Sequence, residues 1–165
     1  MSHVSTSYRV SRTIRIEAPP AAVHPHVADL RRWAGWSPWE GSEDDHHLER
    51  SYTGPDRGVG AGYAWSGNKD SGAGSVALVL DQGARIELDL HFQEPFPAEN
   101  HLRFDLDPES EGRACVVTWT VTGAPTGLMR ALARVLPMDR LVGMELRKGL
   151  RRLKAQVESG RSGAR

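Results

Sequence analysis

The sequence predicts an α+β domain in which a curved seven-stranded antiparallel sheet wraps around one long C-terminal helix. Three observations predict it. Apolar residues alternate at period two in seven short runs between Tyr8 and Val121. From Leu48 onward those runs are separated by turn residues rather than helices, which makes consecutive strands antiparallel with one wet face. After Gly127 the apolar period changes to the three-and-four spacing of a helix.

The elements follow in order. Tyr8, Val10, Ile14 and Ile16 share one parity and read as a half-buried strand, which Ala18-Pro19-Pro20 stops. Proline at a first helical turn suits a short helix through Val23, Val27 and Leu30. The next runs hold Leu48, Arg50 and Tyr52, and then Ala61, Tyr63 and Trp65. Val76, Leu78 and Leu80 lead into Asp81-Gln82-Gly83, a hairpin signal, and Ile86, Leu88, Leu90 and Phe92 return from it. Leu102, Phe104 and Leu106 form the next strand, and Cys115, Val117, Trp119 and Val121 the last. Gly123-Ala124-Pro125-Thr126-Gly127 breaks that strand, and the helical stripe runs from Leu128 to Val157. A helix of about thirty residues spans roughly 45 Å, enough to cross the whole sheet. Pro137 interrupts the stripe, and Asp139 can cap a resumed helix.

At 165 residues the chain is long enough for one domain with a real core. Residues 1–7 and 160–165 are polar and small and read as tails around a single domain at 8–159. Lys plus Arg and Asp plus Glu balance at 21 each, so bulk charge predicts no nucleic-acid partner. No apolar run reaches 18 residues, so no integral membrane association is expected. Cys115 is the single cysteine, which leaves no disulfide framework within one chain. A cytoplasmic setting is the resulting expectation, as a monomer or homodimer.

The five tryptophans carry most of the functional signal. Three lie in Trp33-Ala34-Gly35-Trp36-Ser37-Pro38-Trp39, and the others are Trp65 and Trp119. Large rigid rings with one N–H handle suit the lining of an amphipathic ligand site. A helix cannot fill the whole concavity of a strongly curved sheet, so a cavity is expected between them.

Several stretches carry a family resemblance. They are Ile16-Glu17-Ala18-Pro19 with Val23 and Val27, Trp36-Ser37-Pro38-Trp39, Tyr52-Thr53-Gly54-Pro55, Gly58-Val59-Gly60-Ala61, Tyr63-Ala64-Trp65-Ser66-Gly67-Asn68, Thr118-Trp119 and Gly149-Leu150-Arg151-Arg152-Leu153-Lys154. Together they resemble the SRPBCC superfamily of START-like and birch-pollen-allergen-like domains, and within it the polyketide cyclase/dehydrase-like bacterial members. The resemblance covers about residues 8 to 158 and implies the helix-grip fold. That fold hosts carriers, cyclases and interaction modules alike, so it does not fix the reaction.

The residues expected to line the cavity are Trp36, Trp39, Arg50, Tyr52, Tyr63, Trp65, Leu88, Leu90, Phe104, Trp119, Met138 and Val142, with the Trp36–Trp39 loop as a gate. Two of the titratable side chains are candidates for proton transfer. Tyr63 is a phenol on an inward parity, and Glu145 sits at the edge of the helical stripe. Glu145 can equally pair with Lys148 three residues on. Seven histidines offer no metal pattern: His24 and His26 point apart at a spacing of two, and Asp44-Asp45-His46-His47 reads as a charged turn. No metal or cofactor is predicted. Three readings follow: a binder of a hydrophobic small molecule such as a lipid, polyketide, aromatic or isoprenoid compound; a cyclase or dehydratase using Tyr63, Tyr52 or Glu145; and a protein-interaction module working through the basic helix face.

Overall fold

The structure, a computed structural model, describes residues 8–38, 49–68, 72–94, 98–125, 131 and 134–162. Strand β1 (Tyr8–Ile16) leads into helix α1 (Pro20–Ala28) and a 3-10 turn (Leu30–Gly35). Then come β2 (Glu49–Thr53), β3 (Gly62–Asn68), β4 (Gly72–Asp81), β5 (Arg85–Glu94), β6 (Ala98–Glu109) and β7 (Ala114–Pro125), and helix α2 (Met138–Ser162) closes the chain. The strands form one antiparallel sheet in the order β1-β7-β6-β5-β4-β3-β2. The helix-grip arrangement predicted from the sequence is the one observed.

Alternation decides which face is inside. On β5, Ile86, Leu88 and Leu90 are buried, and on β6 Asn100, Leu102, Phe104 and Leu106 are, while the residues between them face outward. Leu146, Leu150, Leu153 and Val157 recur on α2 at spacings of four, three and four and close the concave side.

Three boundaries differ from the sequence reading. Helix α2 starts at Met138, not Leu128, because Pro137 has no N–H to give and its ring clashes with a preceding helical turn. Its 25 residues span about 37 Å. It continues to Ser162, past residue 159. Val135 (78% exposed), Leu136 (39%) and Leu141 (44%) lie outside the core. Strand β7 also runs through Gly123 to Pro125, where the sequence places a break. Leu128, Met129, Leu132 and Trp39 lie outside the described residues.

The four described tryptophans do not share one cavity. Trp33 and Trp36 follow α1, whose last carbonyls have no helical partner. The Trp33 indole donates to Val27 O at 2.8 Å and that of Trp36 to His26 O at 2.9 Å, so both rings cap the helix end while filling the core. They pack on Phe104 and Trp119, register partners on β6 and β7 whose rings stack at 4.8 Å. A second set forms a ladder along the sheet. Tyr52 stacks on Tyr63 at 5.5 Å, Tyr63 on Trp65 at 5.7 Å, and Trp65 meets the edge of Phe92 at 5.8 Å. The Trp65 ring reaches β5 by crossing Gly74: a Cβ there would stand 2.7 Å from the indole and 2.6 Å from His91 O.

Candidate functional site

Register builds a cavity floor from four strands. Tyr8 on β1 pairs with Gly123 on β7, Gly123 with Asn100 on β6, and Asn100 with Leu90 on β5. Gly123 supplies no side chain in this row. A Cβ at that position would collide with Asn100 Oδ1 and stand 2.7 Å from the Tyr8 hydroxyl oxygen. Through that gap the Tyr8 hydroxyl donates to the Asn100 side-chain carbonyl. Burial pushes the Tyr8 phenol above its ordinary value, so at neutral pH it is a donor and not a base.

Above this row lies a cavity of about 180 Å³. Leu90 and Phe92 of β5, Leu102 of β6 and Val121 of β7 form its apolar wall. Helix α2 roofs it with Val142, Glu145 and Leu146, and Pro38 closes the side nearest the 3-10 turn. The result is an apolar chamber with one half-buried polar pair on its floor and one carboxylate at its rim.

Of the residues predicted to line a cavity, Leu90 and Val142 border this one, as does Glu145. Trp36, Leu88, Phe104 and Trp119 are instead fully buried in the core. Trp36 is held there by its bond to His26 O, which leaves it no role at a mouth. Tyr63 and Trp65 are buried within the aromatic ladder, one or two rings from Phe92 and the chamber. Tyr52 is half-buried beneath the Arg31 guanidinium, 4.4 Å from its ring centroid. Arg50 is exposed on β2, and Met138 is half-buried at the first residue of α2. The Tyr63 hydroxyl is buried and has no hydrogen-bond partner among the described residues. Glu145 is exposed, and no ion pair joins it to Lys148 among the described residues.

Tyr8, Phe92, Asn100, Leu102, Val121 and Leu146 were not singled out as site residues by the sequence. A signal did exist for Asn100, since it shares parity with Leu102, Phe104 and Leu106. Its position just after Pro95-Phe96-Pro97 makes it read as a turn residue instead.

The described histidines, His24, His26, His91 and His101, do not line the chamber. Among the described residues, no group of three or more His, Cys, Asp and Glu is arranged to hold a metal ion. His24 bonds Asp81 at 2.9 Å and pins α1 to the β4 end. On the outer face, His101 bonds Asp89 through Nδ1 at 2.9 Å and Glu87 through Nε2 at 2.7 Å. Partial burial by itself would lower the His101 pKa, but the two carboxylates outweigh it and hold the imidazole above its ordinary value. Protonated His101 therefore stabilises the fold below its unfolded pKa of about 6.5, and this contribution is lost as pH rises through the higher folded value. His101→Gln is expected to lower the melting temperature near pH 5.5 and to change it little near pH 9. Equal losses at both pH values would refute the ion-pair account. Cys115 has an inert role: burial, reinforced by the Asp107 charge, pushes its thiol up to about 11, so the nucleophilic thiolate is scarce at neutral pH.

Solved structures show the same fold at low identity. A protein of Thermus thermophilus, TTHA0849, is 19% identical with a TM-score of 0.65, over 93% of this chain and 99% of its own. Ara h 8.0201 is 12% identical with a TM-score of 0.62, over 93% and 99%. DynU16, a protein in the dynemicin biosynthetic locus, is 19% identical with a TM-score of 0.56, over 92% of this chain and 48% of its own. No curated protein matches the sequence. The sequence model of the polyketide cyclase / dehydrase and lipid transport family matches residues 7–158. With nearly the whole chain inside that match, from the cavity floor on β1 to the last buried turn of α2, the protein belongs to this family.

Proposed function

We propose that this domain is a carrier that holds the apolar part of a small hydrophobic molecule, such as a polyketide-derived ring or a lipid segment, between sheet and helix. The observation that carries the reading is the chamber itself: apolar walls, one half-buried Tyr8–Asn100 pair and, among the described residues, no acid–base couple in contact. The family, whose description includes lipid transport, and the occurrence of DynU16 in a biosynthetic locus support the same ligand class. Size narrows it. Sites for drug-sized ligands run to about 300–1,000 Å³, whereas an apolar hole of about 150 Å³ already holds a benzene ring. A chamber of about 180 Å³ suits one ring or a short chain, with an oxygen of the ligand set against the Tyr8–Asn100 pair.

The test is to fill the chamber. Val142→Phe places a ring in it from a half-buried position on α2. Affinity for an apolar fluorescent probe is expected to fall at least about tenfold, equivalent to about 1.4 kcal/mol, with the melting temperature retained. Unchanged affinity in a folded Val142→Phe variant would overturn the proposal, and native mass spectrometry of the purified protein would identify any ligand it carries. Glu145 supports a second reading, a cyclase or dehydratase, because its carboxylate borders the chamber without an ion-pair partner among the described residues. Under that reading Glu145→Gln should reduce turnover by roughly 10²–10⁴-fold with ligand affinity intact.

A further inference from the structure

Among the described residues, large apolar side chains exposed to solvent are unevenly distributed. Val59 and Val79 are isolated, whereas Val135, Leu136, Leu141 and Met144 fall within ten residues around the start of α2. Leu141, Met144, Lys148 and Arg151 follow one another at spacings of three, four and three, so they form a single stripe on the helix. That stripe lies opposite Leu146, Leu150, Leu153 and Val157 and is exposed along its length. An apolar cluster of this kind on a water-facing surface marks an interaction site.

Charge identifies the partner. Arg134, Arg140, Arg147 and Lys148 surround the apolar cluster and are all exposed. Two acidic residues share the segment. Asp139 is held by Arg12 at 3.0 Å, and Glu145 borders the chamber. Beside Met144, an open groove between β1 and α2 is lined by Arg147, Lys148 and Arg151 with Glu145 as its one carboxylate, which extends the net cationic surface. On a chain with no net charge, this is a local concentration of positive charge around protruding apolar groups. A second copy fits it poorly, because a twofold contact would set Arg140, Arg147 and Lys148 against their own images. Anionic lipid head groups over an acyl layer match both properties.

We propose that the segment from Arg134 to Lys148 docks on an anionic lipid surface, with Val135, Leu136, Leu141 and Met144 entering the interface and the cations meeting head groups. This surface stands on exposure and charge and does not depend on what the chamber binds. The same two turns of α2 supply Val142, Glu145 and Leu146 to the chamber, so docking sets the chamber beside the lipid.

Vesicle sedimentation of the full chain tests the proposal. Vesicles of phosphatidylcholine with about 30% phosphatidylglycerol should bring the protein down, those of phosphatidylcholine alone should not, and high salt should release it. Leu141→Asp with Met144→Asp should reduce binding at least roughly tenfold. Arg147→Glu with Lys148→Glu should do the same. All four side chains are exposed, so melting temperatures should be retained, and the charge-reversal pair decides the matter if the first pair misfolds. Three results would each overturn the proposal: no binding to anionic vesicles, equal binding to neutral ones, or wild-type binding by folded variants. A dimer dissolved by Leu141→Asp with Met144→Asp, with no vesicle binding by the wild type, would assign the face to a second copy instead.

Discussion

Replacing Trp36 with alanine is expected to cost about 3–5 kcal/mol from the lost ring, with about 1–3 kcal/mol more from the His26 carbonyl left without its donor. Domains of this kind have a total of roughly 5–15 kcal/mol, so the variant should be largely unfolded or melt far below the wild type. The size of the effect follows from position. The Trp36 ring lies 4.6 Å from Trp33, 5.7 Å from Trp119 and 5.9 Å from Phe104, and removing it opens a hole that three other aromatics border. Trp36→Phe separates the two contributions, since it keeps most of the volume and loses only the N–H. Arg32→Ala, at an exposed neighbour, should change stability by no more than about 0.5 kcal/mol. Urea unfolding measures all three. A Trp36→Ala variant with an unchanged midpoint but altered probe binding would put this ring at the cavity mouth instead of in the core.

The second large effect is a gradient along α2. Leu150 is 1% exposed, and Leu150→Ala should remove about 2–5 kcal/mol. For a domain of this length that lowers the melting temperature by about 4–20 °C. Leu141→Ala, at a side chain 44% exposed, should stay within about 0.5 kcal/mol of wild type although the residue is equally apolar. Arg151→Ala should behave like Leu141→Ala, because it is exposed on the outer stripe. Matching losses at Leu141 and Leu150 would mean that α2 is seated differently on the sheet.

These two cases show what the sequence could reveal. Strand order and inward parity were legible because the period of two is local and persists through β1, β5, β6 and β7. The Asp81-Gln82-Gly83 hairpin was legible for the same reason: Gly83 takes a φ of 78° there and its N–H bonds Asp81 at 2.9 Å. The role of Trp33 and Trp36 was not, since it depends on which carbonyls remain at the end of α1 once Asp29 N–H has taken Pro25 O. The chamber was hidden for another reason. Its polar floor lies where β6 and β7 extend past their apolar runs, at Asn100 and Gly123, residue types that read as turns or breaks when taken alone. Only the pairing of four strands makes them a row. The helix start was legible in part: Pro137 marks an interruption and Asp139 a resumed helix beside the observed start at Met138, but apolar spacing that continues across Pro137 gives the stripe an earlier beginning at Leu128.

The placement of the buried side chains on α2 also affects motion. From Leu146 to Val157 the helix is fastened to the sheet by four side chains at most 2% exposed, whereas between Met138 and Glu145 Val142 is half-buried and Leu141 and Met144 face water. Lifting the first two turns therefore exposes little apolar surface, while lifting the rest forfeits much of the core. A beam clamped at one end swings at the other. Such sub-global openings occur on microsecond-to-millisecond timescales, far faster than unfolding. Two of the three roof residues, Val142 and Glu145, belong to these loosely packed turns, so the contents of the chamber are expected to exchange through a small hinge motion at Leu146 that breaks the Arg12–Asp139 pair, and not through unfolding of the domain.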